Sequence, residues 1–521
     1  MQVFVFFIFI FKNTRPGAYY ITMPKSREGY IWTDGKLITG LDTQAVVPSS
    51  TVNNLKSDDY DVIVIGAGFA GLRAARELAS HHSGLRVLIV EGRDRIGGRT
   101  WTAQALGEDF EMGGTWVHWA QPHVYTELHR YGLHKNLKTS AGTLAAQKTY
   151  YKQSESGLVE EMDGAALAQI TQDVAEKFFT IDGLSSRDLM PYPHDPFREP
   201  ALWKKYDHLT VRQRLDQLED IPGIHKGYFE SNVNTFGSAR SSEIGFTEAL
   251  RWYALGGHNM TQVFELAGIY KLGKGGMTSF SRSVLQEFRG DILFDTIVTE
   301  IIQDDASGVV VIKTNDGKCS FKAKAAICTI PLNCLGDIKF WPPLGPLKRE
   351  AIAKGHINRG AKIHFKLAST EPGWFAACDG SAPSSFCFSL SDHNGTTNPS
   401  SGPNGTYCIG FGYNNCLTDP RDSKNIIEDF RKDVRPDATV EAYLTHDWAN
   451  DPLAKGEWCC WGSDCMSKYL QELQKDHGNV FFASADWADG WRGFIDGALE
   501  SGLKTALRVA ERLQKNPAPR L

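Results

Sequence analysis

The feature that most constrains this chain is a short turn, Gly66-Ala67-Gly68-Phe69-Ala70-Gly71, set between an apolar run and a helical pattern. The run Tyr60-Asp61-Val62-Ile63-Val64-Ile65 reads as a strand buried on both faces, as in parallel sheets. Ala, Arg, Glu and Leu then recur at helical spacing over 72–80, and a second strand is predicted over 86–90, ending at Glu91. Such a βαβ unit has a use for each glycine. Gly66 permits the tight turn, Gly68 lets backbone approach a pyrophosphate, and Gly71 packs helix on strand. The phosphates then sit at the N-terminus of the helix that follows the turn, where unpaired N–H groups and the dipole favour negative charge, and Phe69 and Ala70 of the turn are candidate cofactor contacts. Glu91, 20 residues beyond Gly71, stands where a carboxylate accepts from ribose hydroxyls.

The residues beyond Glu91 separate the candidate dinucleotides. Gly92-Arg93-Asp94-Arg95-Ile96-Gly97-Gly98-Arg99-Thr100 is a second loop rich in Gly and Arg, and Glu111-Met112-Gly113-Gly114-Thr115-Trp116 is a third. A nicotinamide dinucleotide has no need of them. A flavin lies extended through its domain, and its pyrophosphate and ring system require further close approach of backbone. Gly92, Arg93, Gly98, Arg99, Thr100, Gly114, Thr115 and Trp116 are therefore candidate cofactor contacts.

A chain of 521 residues is too long for one ordinary core, so two large units are expected. Two later segments read as parts of the nucleotide unit. A glycine-rich turn (Gly273, Gly275, Gly276) precedes a helix to Phe288, with strands over 292–299 and 309–313. An apolar strand over 480–483 leads through a loop to a helix over 495–513. The expected fold is α/β: a discontinuous Rossmann-like cofactor domain (59–140, 265–340 and 455–521) and a mixed-sheet substrate domain with helices (141–264 and 341–454). Residues 1–58 are expected to form a flexible arm.

The stretches Asp94 to Arg99, Met112 to Trp119, Cys328-Thr329-Ile330-Pro331-Leu332, Asp486-Trp487-Ala488 and Phe494 to Ala498 closely resemble the flavin amine oxidase family, the fungal monoamine oxidases in particular. The resemblance runs over nearly the whole chain from about residue 26. It implies FAD as cofactor and oxidation of an amine by oxygen, through an imine, to aldehyde, ammonia and hydrogen peroxide. Val298 is similar to the valine whose backbone meets the adenine. Asp486 sits where most relatives carry a glutamate near the ribityl-pyrophosphate, and Ile495 opens a helix whose N-terminus faces the cofactor. Trp458 and Phe494 match the two aromatic residues that flank the substrate face of the flavin. Lys362 matches the lysine that holds a water against flavin N5, where its charge favours oxygen reduction. With Trp458 and Phe494, it is a candidate catalytic residue. Trp252, Tyr253, Leu255 and Asn358 are candidate pocket walls, each equally readable as packing.

Rival readings stay open: an oxidase or desaturase of the same superfamily acting on an amino acid, a polyamine or a secondary metabolite, and an inactive flavin-binding scaffold. An amino-acid oxidase needs an Arg clamp for the carboxylate, for which Arg251 and Arg359 are available. A polyamine enzyme wants acids in its tunnel. A catalytically inactive flavin-binding scaffold would have no use for Lys362, Trp458 and Phe494 together. The net charge of -5 and the lack of a long basic block point away from nucleic acid, leaving a small-molecule amine and oxygen as partners and a homo-oligomer open. Cys459, Cys460 and Cys465 lack the His-Cys spacing of a zinc site, and no metal is expected. The ten cysteines, all at 319 or later, do not form a disulfide scaffold, which favours a reducing compartment.

The apolar run over 3–11 is too short to span a bilayer; it reads as a signal-like segment or as sequence ahead of a true start at Met23. No transmembrane helix is predicted. Pro519-Arg520-Leu521 resembles a peroxisomal signal with Pro at its first position; peroxisome is the expected location, with cytoplasm the alternative.

Animal members of the family attach flavin to a cysteine directly before the first cage aromatic. Glu457 occupies that place here. FAD is therefore expected to be held non-covalently, and acid precipitation should release it into the supernatant. Yellow colour retained by a washed pellet would refute dissociable binding.

Overall fold

The computed structural model describes residues 23–47, 59–81, 84–144, 146–304, 308–315, 320–380, 383–395 and 403–515. The apolar run over 3–11 and the tripeptide 519–521 lie outside the described residues. No helix among the described residues is long and apolar enough to cross a membrane. The nine described cysteines are free thiols.

Two large sheets organise the chain. In the first, the strand order is Asp291–Leu293, Val87–Val90, Asp59–Ile65, Ser320–Cys328, Val310–Thr314, Val298–Gln303 and Lys339–Trp341, with Val480–Phe482 also alongside Ser320–Cys328. Asp59–Ile65 lies between two parallel neighbours and is buried on both faces from Tyr60 onward, which is why it reads as a continuous apolar run. The helix Phe69–His81 starts three residues earlier than its periodicity suggests, because the glycine turn itself makes its first turn. The C-terminal helix Ile495–Lys515 packs across it, and Gly502 lets the two backbones meet at Ala70.

The single strand expected over 292–299 is instead two, Asp291–Leu293 and Val298–Gln303. The break has a cause: the Asp295 and Thr296 N–H groups leave the sheet and donate to the carbonyls of Arg93 and Glu91, each at 3.0 Å. The interruption docks the edge of the sheet onto the loop after Glu91.

The second sheet has nine strands in the order Lys36–Thr39, Tyr30–Thr33, Val440–Thr445, Ala361–Leu367, Thr406–Gly412, Phe386–His393, Trp374–Cys378, Lys148–Lys152 and Val159–Met162. Helices Gly164–Phe178, Gly223–Asn234, Phe246–Leu255 and Met260–Gly268 cover part of it, and a cavity lies between the two.

The expectation of a loose arm does not hold for residues 24–47. Tyr30–Thr33 pairs with Val440–Thr445, and Ala45 accepts from the Ile96 N–H at 3.0 Å. Glu28 forms ion pairs with Arg93 and Arg95, the Arg95 Nε donating at 2.7 Å. The polar composition that suggested looseness serves these pairs instead. Arg93 also meets Asp451 at 2.9 Å, and Asp451 faces His446 at 2.6 Å. Burial opposes the charge on Glu28, but Arg95 and then Arg93 outweigh it and hold the carboxyl below its ordinary value of 4.5. Its stabilisation is therefore present above that pH and lost as pH falls through the depressed folded value. Glu28→Ala should lower the unfolding free energy at neutral pH by about 3 kcal/mol, since it strips one partner from two buried guanidinium groups. In urea titrations the gap to wild type should close under acid conditions; a gap unchanged with pH would show that the pairs do not matter.

Candidate active site

The cavity, of about 800 Å³, runs from the glycine turn of the first sheet to the helices over the second. Its nucleotide end is built from three loops that touch through glycines. Gly98, at φ +60°, faces Gly68 so closely that a Cβ there would lie 3.2 Å from the Gly68 Cα. Gly66, at φ +109°, abuts the Thr329 hydroxyl, and a Cβ on Gly71 would strike the Gly66 carbonyl oxygen. The Glu91 carboxylate accepts from the Ala67 N–H at 2.6 Å and the Arg93 N–H at 2.9 Å, so the turn and the next loop are locked to one acid. Burial raises its pKa against the opposing pull of Arg93. Two backbone bonds leave lone pairs for further donors.

Eighteen of the twenty expected site residues line this one cavity: Gly66, Gly68, Phe69, Ala70, Glu91, Gly92, Arg93, Gly98, Arg99, Thr100, Gly114, Thr115, Trp116, Val298, Lys362, Trp458, Phe494 and Ile495. Gly71 and Asp486 do not. Gly71 is internal packing. Asp486 is fully buried behind the wall, where Oδ1 takes the Arg99 Nη2 at 2.6 Å and Oδ2 accepts from the Leu332 N–H at 2.8 Å. Arg99 also donates to the Glu457 carbonyl at 2.8 Å. Asp486 thus positions Arg99, itself a wall residue.

The two candidate aromatics share one frame. The Trp458 indole donates to the Phe236 carbonyl at 2.7 Å; Phe236 stacks on Trp252 with centroids 4.6 Å apart, and Trp252 packs against Phe494 at 4.8 Å. Gly493, at φ +87°, lets the Phe494 segment meet the backbone after Trp458, where a Cβ would lie 2.6 Å from the Cys459 carbonyl oxygen. The segment around Trp458 is irregular rather than a strand. Cys459 and Cys460 are fully buried and neither is a wall residue. The wall cysteine among the described residues is Cys334, whose thiol burial pushes up to about 12, far from a reactive thiolate.

Lys362 lies on Ala361–Leu367, a strand buried along nearly its whole length. Its ammonium donates to the carbonyls of Glu111 and Gly113, both at 2.7 Å, and to the Thr115 hydroxyl at 2.5 Å. Three donors meet three protein acceptors, so a water held at Nζ must displace one of them. Burial pulls this lysine down to about 7, resisted by Glu111 and Glu457. Burial also pushes the Glu457 carboxyl up to about 8, and its Oε2 has no hydrogen-bond partner.

Of the other suggested walls, Trp252 lines the cavity, whereas Tyr253, Leu255 and Asn358 do not. Arg251 is fully buried on Glu248 (2.5 Å) and the Gly490 carbonyl (2.7 Å), and Arg359 is exposed. Among the described wall residues the arginines are Arg93 and Arg99, both at the nucleotide end. Sequence reasoning missed Phe388, Phe411 and Tyr151, because aromatic residues on strands are ordinarily core.

A glycine-lined nucleotide cradle joined to an aromatic chamber defines a flavin-dependent oxidoreductase. The family described as flavin containing amine oxidoreductase matches residues 69–510, and the chain belongs to it. It is similar to a pseudooxynicotine dehydrogenase of Pseudomonas sp (34% identity, 88% of this chain and 87% of that protein). A nicotine dehydrogenase of Pseudomonas putida is 30% identical over 90% of this chain and 92% of its own length. Amine oxidase B of Mus musculus is 24% identical, with 88% of each chain covered. Cyclohexylamine oxidase from Brevibacterium oxydans shares the fold with a TM-score of 0.70 at 21% identity, over 88% of this chain and 100% of that one. As a member of this family the chain binds FAD, and the long glycine-walled cavity with helix N-termini at Phe69 and Ile495 suits it.

Two alanine substitutions separate cradle from scaffold. Gly68→Ala adds a methyl with nothing nearer than the Gly98 Cα at 3.9 Å. It should fold normally but purify with less flavin. Gly71→Ala forces backbone apart and should cost roughly 1–3 kcal/mol of stability. Full flavin content in Gly68→Ala, by absorbance, would remove Gly68 from the cradle.

Proposed function

We propose that this flavin-dependent amine oxidoreductase oxidises an amine at its α-carbon in the chamber bounded by Trp458, Phe494 and Lys362, with oxygen as the final acceptor. Bound FAD supplies the two-electron acceptor. The balance is R–CH2–NH2 + O2 + H2O → R–CHO + NH3 + H2O2: loss of two electrons and two protons turns the amine into an imine, which water hydrolyses. The observation that carries this reading is the convergence of Lys362, Trp458 and Phe494 on one cavity whose substrate half is poor in charge.

The aromatic walls disfavour an ammonium by desolvation and so favour the neutral amine, whose lone pair assists C–H cleavage. The lack of an arginine among the described walls of that half speaks against an amino-acid carboxylate. Glu265 is the one carboxylate contributed by the covering helices, too little for a polycation. Relatives named for nicotine and pseudooxynicotine put aryl-bearing amines first among candidates. Glu457 before Trp458, together with the buried Cys459 and Cys460, supports dissociable FAD.

A second reading of the acceptor has its own support: two relatives at 30% identity or above are called dehydrogenases. A stopped-flow series separates the readings. Anaerobic mixing with an amine panel should bleach the flavin, and oxygen should restore it with one peroxide formed per amine. Positive charge on Lys362 favours electron transfer to oxygen. Reoxidation should therefore slow as pH rises through about 7 and should be slow and flat with pH in Lys362→Met. Bleaching without oxygen-driven recovery would transfer the acceptor role to another electron carrier; no bleaching by any amine would sink the oxidation itself.

A further inference from the structure

The cavity floor is a row of cross-strand partners. Lys362 pairs with Phe411, Phe411 with Phe388, Phe388 with Ala377, and Ala377 with Tyr151. All five line the cavity, and Phe388 and Phe411 stack with centroids 4.5 Å apart and planes 11° from parallel, so the middle of the floor is flat and apolar. Helix Gly223–Asn234 runs along this row. At one end the Tyr228 ring meets Tyr151 at 4.8 Å; at the other, just past the helix, the Phe236 carbonyl accepts from the Trp458 indole. From Gly227 to Ala239 every residue is buried except Asn232, which is partly exposed and lines the cavity. The Asn232 Nδ2 donates to the Tyr228 carbonyl at 2.7 Å. A carbonyl can only accept, so the amide cannot be turned over and its Oδ1 is held on the other side. Ser231 and Thr235, which flank Asn232 on the wall, donate their hydroxyl protons to the carbonyls of Tyr228 (2.8 Å) and Asn232 (2.7 Å). No donor among the described residues reaches the Asn232 Oδ1, and the atom is open to the cavity.

An apolar body lying on this floor strips water from Oδ1, and a desolvated acceptor without a donor is unfavourable. A ligand that brings its own donor removes the penalty. We propose that Asn232 is a specificity-determining residue, its Oδ1 accepting a hydrogen bond from an O–H or N–H on the body of the substrate. Asn232 precedes Phe236 by four residues, one helical turn or about 6 Å of rise, so that donor lies well away from the reacting carbon beside Trp458. The substrate class is then an amine whose flat apolar body carries a hydroxyl or a second N–H several bonds from the reacting nitrogen. The inference rests on the reading that amines are oxidised beside Lys362 and names what recognises the rest of the molecule.

The test is a series of (4-hydroxyphenyl)alkylamines with methylene to hexylene linkers, each paired with its 4-fluorophenyl counterpart, which is close in size but cannot donate. The ratio of kcat/KM within each pair should peak at one linker length, standing about five- to tenfold above the other lengths. In Asn232→Leu, and in the smaller Asn232→Ala, the profile should be flat. An asparagine that only steadied its helix would change both members of a pair alike, and its loss would leave the peak in place. A flat wild-type profile, readable without any variant, overturns the proposal, as does a peak that survives either substitution. In both cases anaerobic flavin bleaching by the amines would leave the oxidation reading standing, whereas absence of bleaching throughout would remove both.

Discussion

The buried ammonium of Lys362 is the interaction on which the site depends. It rises from the nine-stranded sheet and is gripped by the Glu111 and Gly113 carbonyls and the Thr115 hydroxyl, all on the loop that closes the nucleotide end. Removing a charge from water is costly, and three short hydrogen bonds are what make it tolerable. The same bonds join a strand of one sheet to the third glycine-rich loop, so the aromatic floor and the nucleotide cradle keep a common geometry.

Around this tie the two halves are fastened by further polar contacts. Arg99 bridges the second loop to Asp486 and to the Glu457 carbonyl, so the residue before Trp458 is held to the nucleotide loop. The Glu28, Arg93, Asp451 and His446 cluster does the same for the N-terminal hairpin. Buried charges grouped this way specify geometry, because breaking any one leaves its partner uncompensated. The chamber itself stays apolar, with its aromatic walls held by packing and by indole hydrogen bonds, from Trp458 to the Phe236 carbonyl and from Trp116 to the Ser140 hydroxyl.

Chemically, the cavity divides its tasks by position. Glycines and helix N-termini face the end suited to a dinucleotide. Lys362 and Glu457 are the ionisable groups where the aromatics converge, and burial draws both toward neutrality, as active-site groups often are. Beyond them the row through Phe411 and Phe388 carries no charge.

Much of this was legible in the sequence, because local rules decide it. The glycine turn, the flanking strands, Glu91 and the helix that Ile495 begins arise from apolar period and turn chemistry, which act over a few residues. The role of Gly71 as packing was likewise readable from its spacing. What the tertiary structure alone decided involves partners far apart in the chain. Glu28 turned a polar arm into an ordered edge by finding Arg93 and Arg95; the strand after Asp291 broke because residues 295 and 296 were needed by the Glu91 loop; Asp486 found Arg99, far from it in the chain. The row from Lys362 to Tyr151 exists only through the register of five strands. Register is settled by side-chain packing across the sheet, a sum of long-range contacts that no local pattern encodes.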